Sequence, residues 1–404
     1  MAATSRTGTH HRYLGEAVSR FVVALAILIC CQAALAKPSV SDFYNISPSR
    51  LNVPPGTLLR YEPARLPAFY RAKAWRVLYS TRDYRGRPIA ASGMVVVSDY
   101  APKDPAQRKI VAWAHPTTGV ARNCAPSLRN NITTMISGLN DLIANGYVVA
   151  ATDYPGLGTP GPVGYLVGRG QAQAVIDSVR AARQIPGVGG GSRYAMWGYS
   201  QGGHAVLFGE KLSRSYAPEL RLVGVAATAP PTDLPVLLQA NIETIPGRIL
   251  SAMTVGSWSL KYGVPIDSLV DRRAVNQVFA VNRNCINNLE GQLEALSAQK
   301  GLPKDFIAAE ALLAPPWGSI MHENSIHGVS GKTPLLIVQG SDDTLVWPAV
   351  TVQFVRAACR TGAPVSFVTL PRKTHGGSGK ASTPIAIGWI NDRFGGKRAP
   401  SNCR

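Results

Sequence analysis

The sequence predicts an α/β protein, with a mostly parallel sheet covered on both faces by helices and entered through an antiparallel hairpin. Three observations carry this reading. Short apolar runs without polar alternation, bounded by turn residues, read as strands buried on both faces. Amphipathic stretches alternate with them, as strand–helix–strand crossovers require. A serine framed by glycines, Gly198-Tyr199-Ser200-Gln201-Gly202-Gly203, stands where one apolar run meets one amphipathic stretch.

The elements follow in chain order. The first 36 residues carry Arg6, Arg12 and Arg20, an apolar stretch from Phe21 to Leu35, and Ala34-Leu35-Ala36 before Lys37. Basic, then apolar, then small-x-small is the layout of a secretory signal peptide, so cleavage is expected after Ala36, with a secreted or periplasmic product. Residues 37–70, rich in proline and polar groups, read as an arm laid over the domain. Asn45-Ile46-Ser47 and Asn131-Ile132-Thr133 are glycosylation sequons. Trp75 to Ser80 and Ile89 to Val97, joined through Arg82-Asp83-Tyr84-Arg85-Gly86-Arg87-Pro88, predict the hairpin. Strands are expected at Ile110 to Ala114, Tyr147 to Ala151, Arg193 to Trp197, Leu222 to Ala227, Leu335 to Gln339 and Val365 to Leu370. Helices are expected near Thr133 to Ala144, Gly170 to Ile185, Gln201 to Ser213, Pro348 to Arg360 and Thr383 to Phe394. Residues 233–330 contain helix-like mixtures and no convincing strand. They are expected to form a helical cap inserted into one catalytic domain spanning residues 37–404.

Composition narrows the function class. The chain has 404 residues, 46% hydrophobic and 16% charged, with a net charge of +19 to which the signal segment adds only two. Its Lys and Arg residues are scattered and not interleaved with aromatics. A solvated basic surface suited to anionic lipid or envelope polymers is expected, and nucleic acid is not. Four cysteines remain after Ala36, and the preferred pairing is Cys124 with Cys285 and Cys359 with Cys403. Their spacing fits no zinc site, and neither a metal nor a cofactor is expected. Gly156-Leu157-Gly158-Thr159-Pro160-Gly161 matches a dinucleotide fingerprint, but prolines stand where the phosphate-binding helix should begin. That loop is expected to line the substrate's site instead.

A serine hydroxyl needs a base to take its proton and an acid to orient that base. Ser200, at a sharp strand-to-helix turn, is the candidate nucleophile, and its glycine neighbours leave room for the turn. Among the histidines after Ala36, His204 shares the serine's helix, His115 precedes it and reads as a structural residue of its loop, and His322 and His327 follow no strand. His375, in the loop after the last strand, is the candidate base. Asp342 and Asp343, just past the strand at Leu335, are the candidate acids, and Asp343 is chosen over Asp342. The backbone N–H of Gln201 supplies one donor to an oxyanion, and the loop His115-Pro116-Thr117-Thr118-Gly119 supplies the second, placed at Thr117 over Thr118.

Together Gly198-Tyr199-Ser200-Gln201-Gly202-Gly203-His204, Thr152-Asp153-Tyr154-Pro155-Gly156-Leu157-Gly158, His115-Pro116-Thr117-Thr118-Gly119 and Gly340-Ser341-Asp342-Asp343 resemble the secretory lipase family, within the α/β-hydrolase fold. The resemblance runs from about Tyr61 to Phe394. It implies Ser200, Asp343 and His375 as a triad, a helical cap, and carboxylic ester or triacylglycerol substrates. Pro116 departs from the glycine expected in the oxyanion loop. Peptide or other acyl substrates for the same triad, and a non-catalytic basic surface protein, are the competing readings.

Overall fold

Strand pairing builds the described residues around one nine-stranded sheet. The computed structural model describes residues 40–129 and 134–403. The signal segment and the Asn131 sequon lie outside the described residues. The sheet holds β1 (Leu58–Ala64), β2 (Ala72–Arg82), β3 (Pro88–Ser98), β4 (Ile110–Ala114), β5 (Val148–Thr152), β6 (Arg193–Tyr199), β7 (Arg221–Thr228), β8 (Leu335–Gly340) and β9 (Val365–Leu370). Their spatial order is β1-β2-β3-β5-β4-β6-β7-β8-β9. β1 to β3 and the β3–β5 pair are antiparallel, and every pair from β5 to β9 is parallel.

The buried strands stand where the apolar runs predict them, because both of their faces are covered. Trp113 and Trp197 meet edge to face at 4.8 Å beneath Trp389 and Ile390, while Val175 and Leu207 belong to the core on the opposite face. Those layers come from α1 (Leu139–Ala144) and α11 (Thr383–Phe394) on one side, and from α2 (Gly168–Arg183) and α3 (Gln201–Tyr216) on the other. Between β7 and β8 come α4 (Leu234–Asn241), α5 (Ile245–Tyr262), α6 (Val275–Asn282), α7 (Leu289–Gln299) and α8 (Trp317–Glu323). α9 (Pro348–Arg360) and α10 (His375–Ala381) complete the set. No helix among the described residues is long and apolar enough to cross a membrane.

Three expectations change. The arm at residues 37–70 is not wholly irregular, since β1 pairs with β2 as an edge strand; its half-exposed pattern and Pro63 conceal it in the sequence. The helix expected from Thr133 is described only from Leu139, after Gly138 turns the chain at φ +62°. The loop at Gly156–Gly161 does not line the cavity beside Ser200. It folds back on the N-terminal segment, and a Cβ on Gly158 would stand 2.6 Å from the Tyr44 ring. Tyr165 and Leu166, further along the same connection, reach that cavity instead.

The cysteines pair as expected, Cys124 with Cys285 and Cys359 with Cys403. The first ties the loop after β4 to the interval between β7 and β8, where Gly119 also bridges Cys285 and Ile286 N–H donates to Thr118 O at 2.9 Å. It closes 161 residues against 44 for the second, so it restricts the unfolded chain more. Replacing both Cys124 and Cys285 by Ala is expected to lower the unfolding free energy by about 2–5 kcal/mol, more than the Cys359/Cys403 double variant. Urea unfolding of the two variants beside the parent protein measures the order.

Candidate active site

The turn between β6 and α3 is forced by backbone crowding. β4 and β6 are paired neighbours, with Ala114 opposite Gly198. A Cβ on Gly202 would lie 1.9 Å from Ala114 O, and one on Gly198 would lie 2.1 Å from Gly202 O. Only glycine lets the helix start this close to the sheet. Ser200, between them, is held at φ 54° and ψ −118°, a conformation that side-chain-bearing residues rarely adopt. The tight turn lifts its hydroxyl clear of the strand at the N-terminus of α3.

His375 Nε2 stands 2.9 Å from Ser200 Oγ, and His375 Nδ1 stands 2.8 Å from Asp343 Oδ2. The base is fixed from behind: Tyr199 O–H donates to His375 O at 2.8 Å. Asp343 is 3% exposed. Its Oδ1 accepts from Leu345 N–H at 2.9 Å and Val346 N–H at 2.8 Å, and its Oδ2 also accepts from Gln339 Nε2 at 3.0 Å. These donors fix the orientation of the carboxylate and leave one edge for the imidazole. Asp342 points elsewhere, accepting from Ser341 Oγ at 2.7 Å. Of the adjacent acids, the geometry brings only Asp343 to His375.

The loop after β4 lies against the same turn, because His115 O is 3.0 Å from the position a Gly202 Cβ would take. The His115 ring is buried between two carbonyls, Pro116 O at 2.6 Å from Nδ1 and Asp153 O at 3.1 Å from Nε2. Burial holds its pKa below the usual histidine value. Asp153 is itself buried, and burial pushes its carboxyl pKa up, although Ser127 N–H and the Ser92 and Ser127 hydroxyls all donate to it. With Pro116 C=O turned into the ring, the N–H of the trans peptide at Thr117 points the opposite way. Thr117 Oγ1 lies 2.9 Å from Tyr165 OH, and Tyr165 lines the cavity that Ser200 and Gln201 share. That cavity measures about 60 Å³ and is walled by Leu234, Leu237, Leu250, Leu345 and Val346.

Residues 128–402 match the family model described as secretory lipase. The chain belongs to the secretory lipase family. Lipase 5 of Candida albicans is 26% identical over 91% of this chain and 83% of its own length. The trichothecene C-3 esterase of Fusarium sporotrichioides is 26% identical over 94% of this chain and 90% of its own. The chain is therefore a carboxylic ester hydrolase acting on ester or lipid substrates. Among solved structures, Candida antarctica lipase A aligns with a TM-score of 0.78 at 18% identity, covering 92% of this chain and 89% of that one. The rice cell wall degrading esterase of Xanthomonas oryzae aligns at 0.68, with 18% identity over 85% and 100%. These likenesses place the chain in the α/β-hydrolase fold.

Sequence reasoning misses the supports. Gln339, Tyr165 and Asn324 carry no motif: Gln339 acts on the loop and helix that follow its own strand, and Tyr165 and Asn324 act through partners distant in the chain. Asn324 O accepts from His204 Nε2 at 2.7 Å, its Oδ1 accepts from Gly168 N–H at 2.9 Å, and its Nδ2 donates to Tyr262 OH at 2.7 Å. It joins α2, α3 and α5 at one point. His204 is fully buried, its Nδ1 has no hydrogen-bond partner among the described residues, and burial draws its pKa down to about 4. The unfolded chain, whose histidine titrates near 6.5, then binds the proton more readily than the fold. His204 thus contributes stability that is present above pH 6.5 and lost as pH falls toward 4, about 3 kcal/mol at most. The drop in thermal midpoint between pH 7 and pH 4 is expected to be smaller in His204→Asn than in the parent, as calorimetry across that range measures.

Proposed function

We propose that this chain hydrolyses carboxylic esters through Ser200 as nucleophile, His375 as general base and acid, and Asp343 as the group that orients His375. The observation that carries the reading is the continuous hydrogen-bonded line from Ser200 Oγ through both His375 nitrogens to Asp343. His375 Nε2 takes the serine proton as Oγ attacks the ester carbonyl carbon. The negative oxygen of the tetrahedral intermediate is met by the backbone N–H groups of Gln201 and Thr117, the first of them at the positive end of α3. Collapse expels the alcohol, which takes its proton from His375, and leaves an acyl group on Ser200. Water then attacks that acyl-enzyme with His375 again as base, and the acid departs.

The helices between β7 and β8 supply Leu234, Leu237 and Leu250 to the cavity's apolar wall, which supports the assignment of residues 233–330 as a cap that receives the organic part of the ester. Residues 1–36 act as a signal peptide cleaved after Ala36, and two disulfides suit the oxidising compartment that secretion reaches. Anionic lipid or envelope surfaces are attracted by the basic balance of the mature chain.

Hydrolysis of p-nitrophenyl esters by the protein and by single variants tests the triad. Ser200→Ala and His375→Ala are expected to lose about ten-thousand-fold or more in kcat/KM. Asp343→Asn is expected to lose at least about a hundredfold, while Asp342→Asn stays within about threefold. Retained activity in Ser200→Ala would remove the proposal.

A further inference from the structure

The cavity that Ser200 and Gln201 share is small, and its walls are tied to their surroundings by buried bonds. Leu237 comes from α4, Leu250 from α5, Leu345 and Val346 from the loop after β8, and Tyr165 from the connection between β5 and α2. Asn241, which ends α4, donates both protons of its Nδ2, to Leu237 O at 2.9 Å and to Leu345 O at 2.8 Å. α4 cannot draw away from the loop after β8 without leaving those buried groups unpaired. Leu237 also packs with Val346 and Val350. α5 is bound just as closely to the connection before α2, since Tyr165 N–H donates to Ser257 Oγ at 3.0 Å and Trp258 Nε1 donates to Tyr165 O at 2.6 Å. The size of the cavity is therefore set by the fold. Its volume of about 60 Å³ takes about two water-sized groups, at roughly 30 Å³ each.

We infer that this cavity is the acyl subsite and that it restricts the protein to esters of short-chain acids, acetyl to butyryl, over long fatty acyl esters. This rests on Ser200 being the nucleophile, since that makes the cavity the place where substrate sits. The departing alcohol takes its proton from His375 Nε2 and so leaves on the histidine's side of Ser200. The cavity adjoins Gln201, and His375 is not one of its walls, which gives it to the acyl part. A butyryl chain places three carbons beyond the carbonyl, about as much as the cavity holds. Each further methylene must push a wall aside against the bonds that hold it. Leu250 is the wall that sets the limit: it is half-buried, and truncating it opens space without touching the Leu237–Val346–Val350 cluster.

The test measures kcat/KM for p-nitrophenyl esters from acetate to dodecanoate, each below its solubility limit. The best substrate is expected at butyrate or shorter, with octanoate at least about tenfold below it. Leu250→Ala is expected to raise the ratio of octanoate to butyrate by about tenfold or more. Should Leu250→Ala fail to fold, alkylboronic acids of graded length, which bond to the serine of the unaltered protein, give a second reading. Propylboronic acid is expected to inhibit at a concentration at least about tenfold below octylboronic acid. The inference is overturned if octanoate or a longer ester is the best substrate, if octylboronic acid is the better inhibitor, or if folded Leu250→Ala keeps the parent's ratio. Acetates of alcohols of growing length tell the two sides of the ester apart, and a length limit there with none in the acyl series also overturns it. Ser200→Ala, assayed alongside, separates the two failures: activity surviving there defeats the nucleophile assignment, while activity lost there beside a long-chain optimum in the parent defeats the subsite alone.

Discussion

The contact between the start of α3 and the end of β4 governs the site. Ala114 O occupies the space where any side chain at residue 202 would begin, so the helix can follow β6 only through a turn that holds Ser200 at positive φ. That strain is held in place by the parallel pairing of β4, β6 and β7, strands buried on both faces. The same approach sets the loop after β4 beside Ser200. One steric constraint therefore locates the nucleophile, a helix N-terminus and the loop that carries Thr117.

The remaining parts are brought to that point from far along the chain. β8 and β9 deliver Asp343 and His375 from their ends, and Gln339 and Tyr199 fix each from behind. The interval between β7 and β8 shares the core that lies on α2 and α3, and specific links tie it there. The Cys124–Cys285 disulfide and the Ile286–Thr118 hydrogen bond hold its middle to the loop after β4. Asn324 holds its end to α2 and α3. Tyr165 connects the two sets: its backbone N–H donates to Ser257 Oγ and its O accepts from Trp258 Nε1, both on α5, while its OH meets Thr117. A shift of α5 would therefore be felt at Thr117.

Much of this was legible in the sequence because the parallel strands, buried on both faces, leave unbroken apolar runs, and because the glycines about Ser200 answer a backbone requirement. β1 was not legible, since a half-exposed edge strand with a proline resembles an irregular arm. The choice between Asp342 and Asp343 rests on where the N–H groups of Leu345 and Val346 point, which no residue pattern encodes. The expectation that the loop at Gly156 lines the substrate's site failed for a related reason, because its glycines serve a turn packed on Tyr44.

Covalent trapping tests the central claim most directly. The intact protein is treated with an alkyl phosphonate ester, a tetrahedral mimic that bonds only to an activated nucleophile, and the adduct is located by peptide mass spectrometry. A single adduct on Ser200, formed in step with loss of esterase activity and absent from His375→Ala on the same timescale, is the result this account predicts. An adduct on another residue, or full loss of activity with Ser200 unmodified, would contradict it.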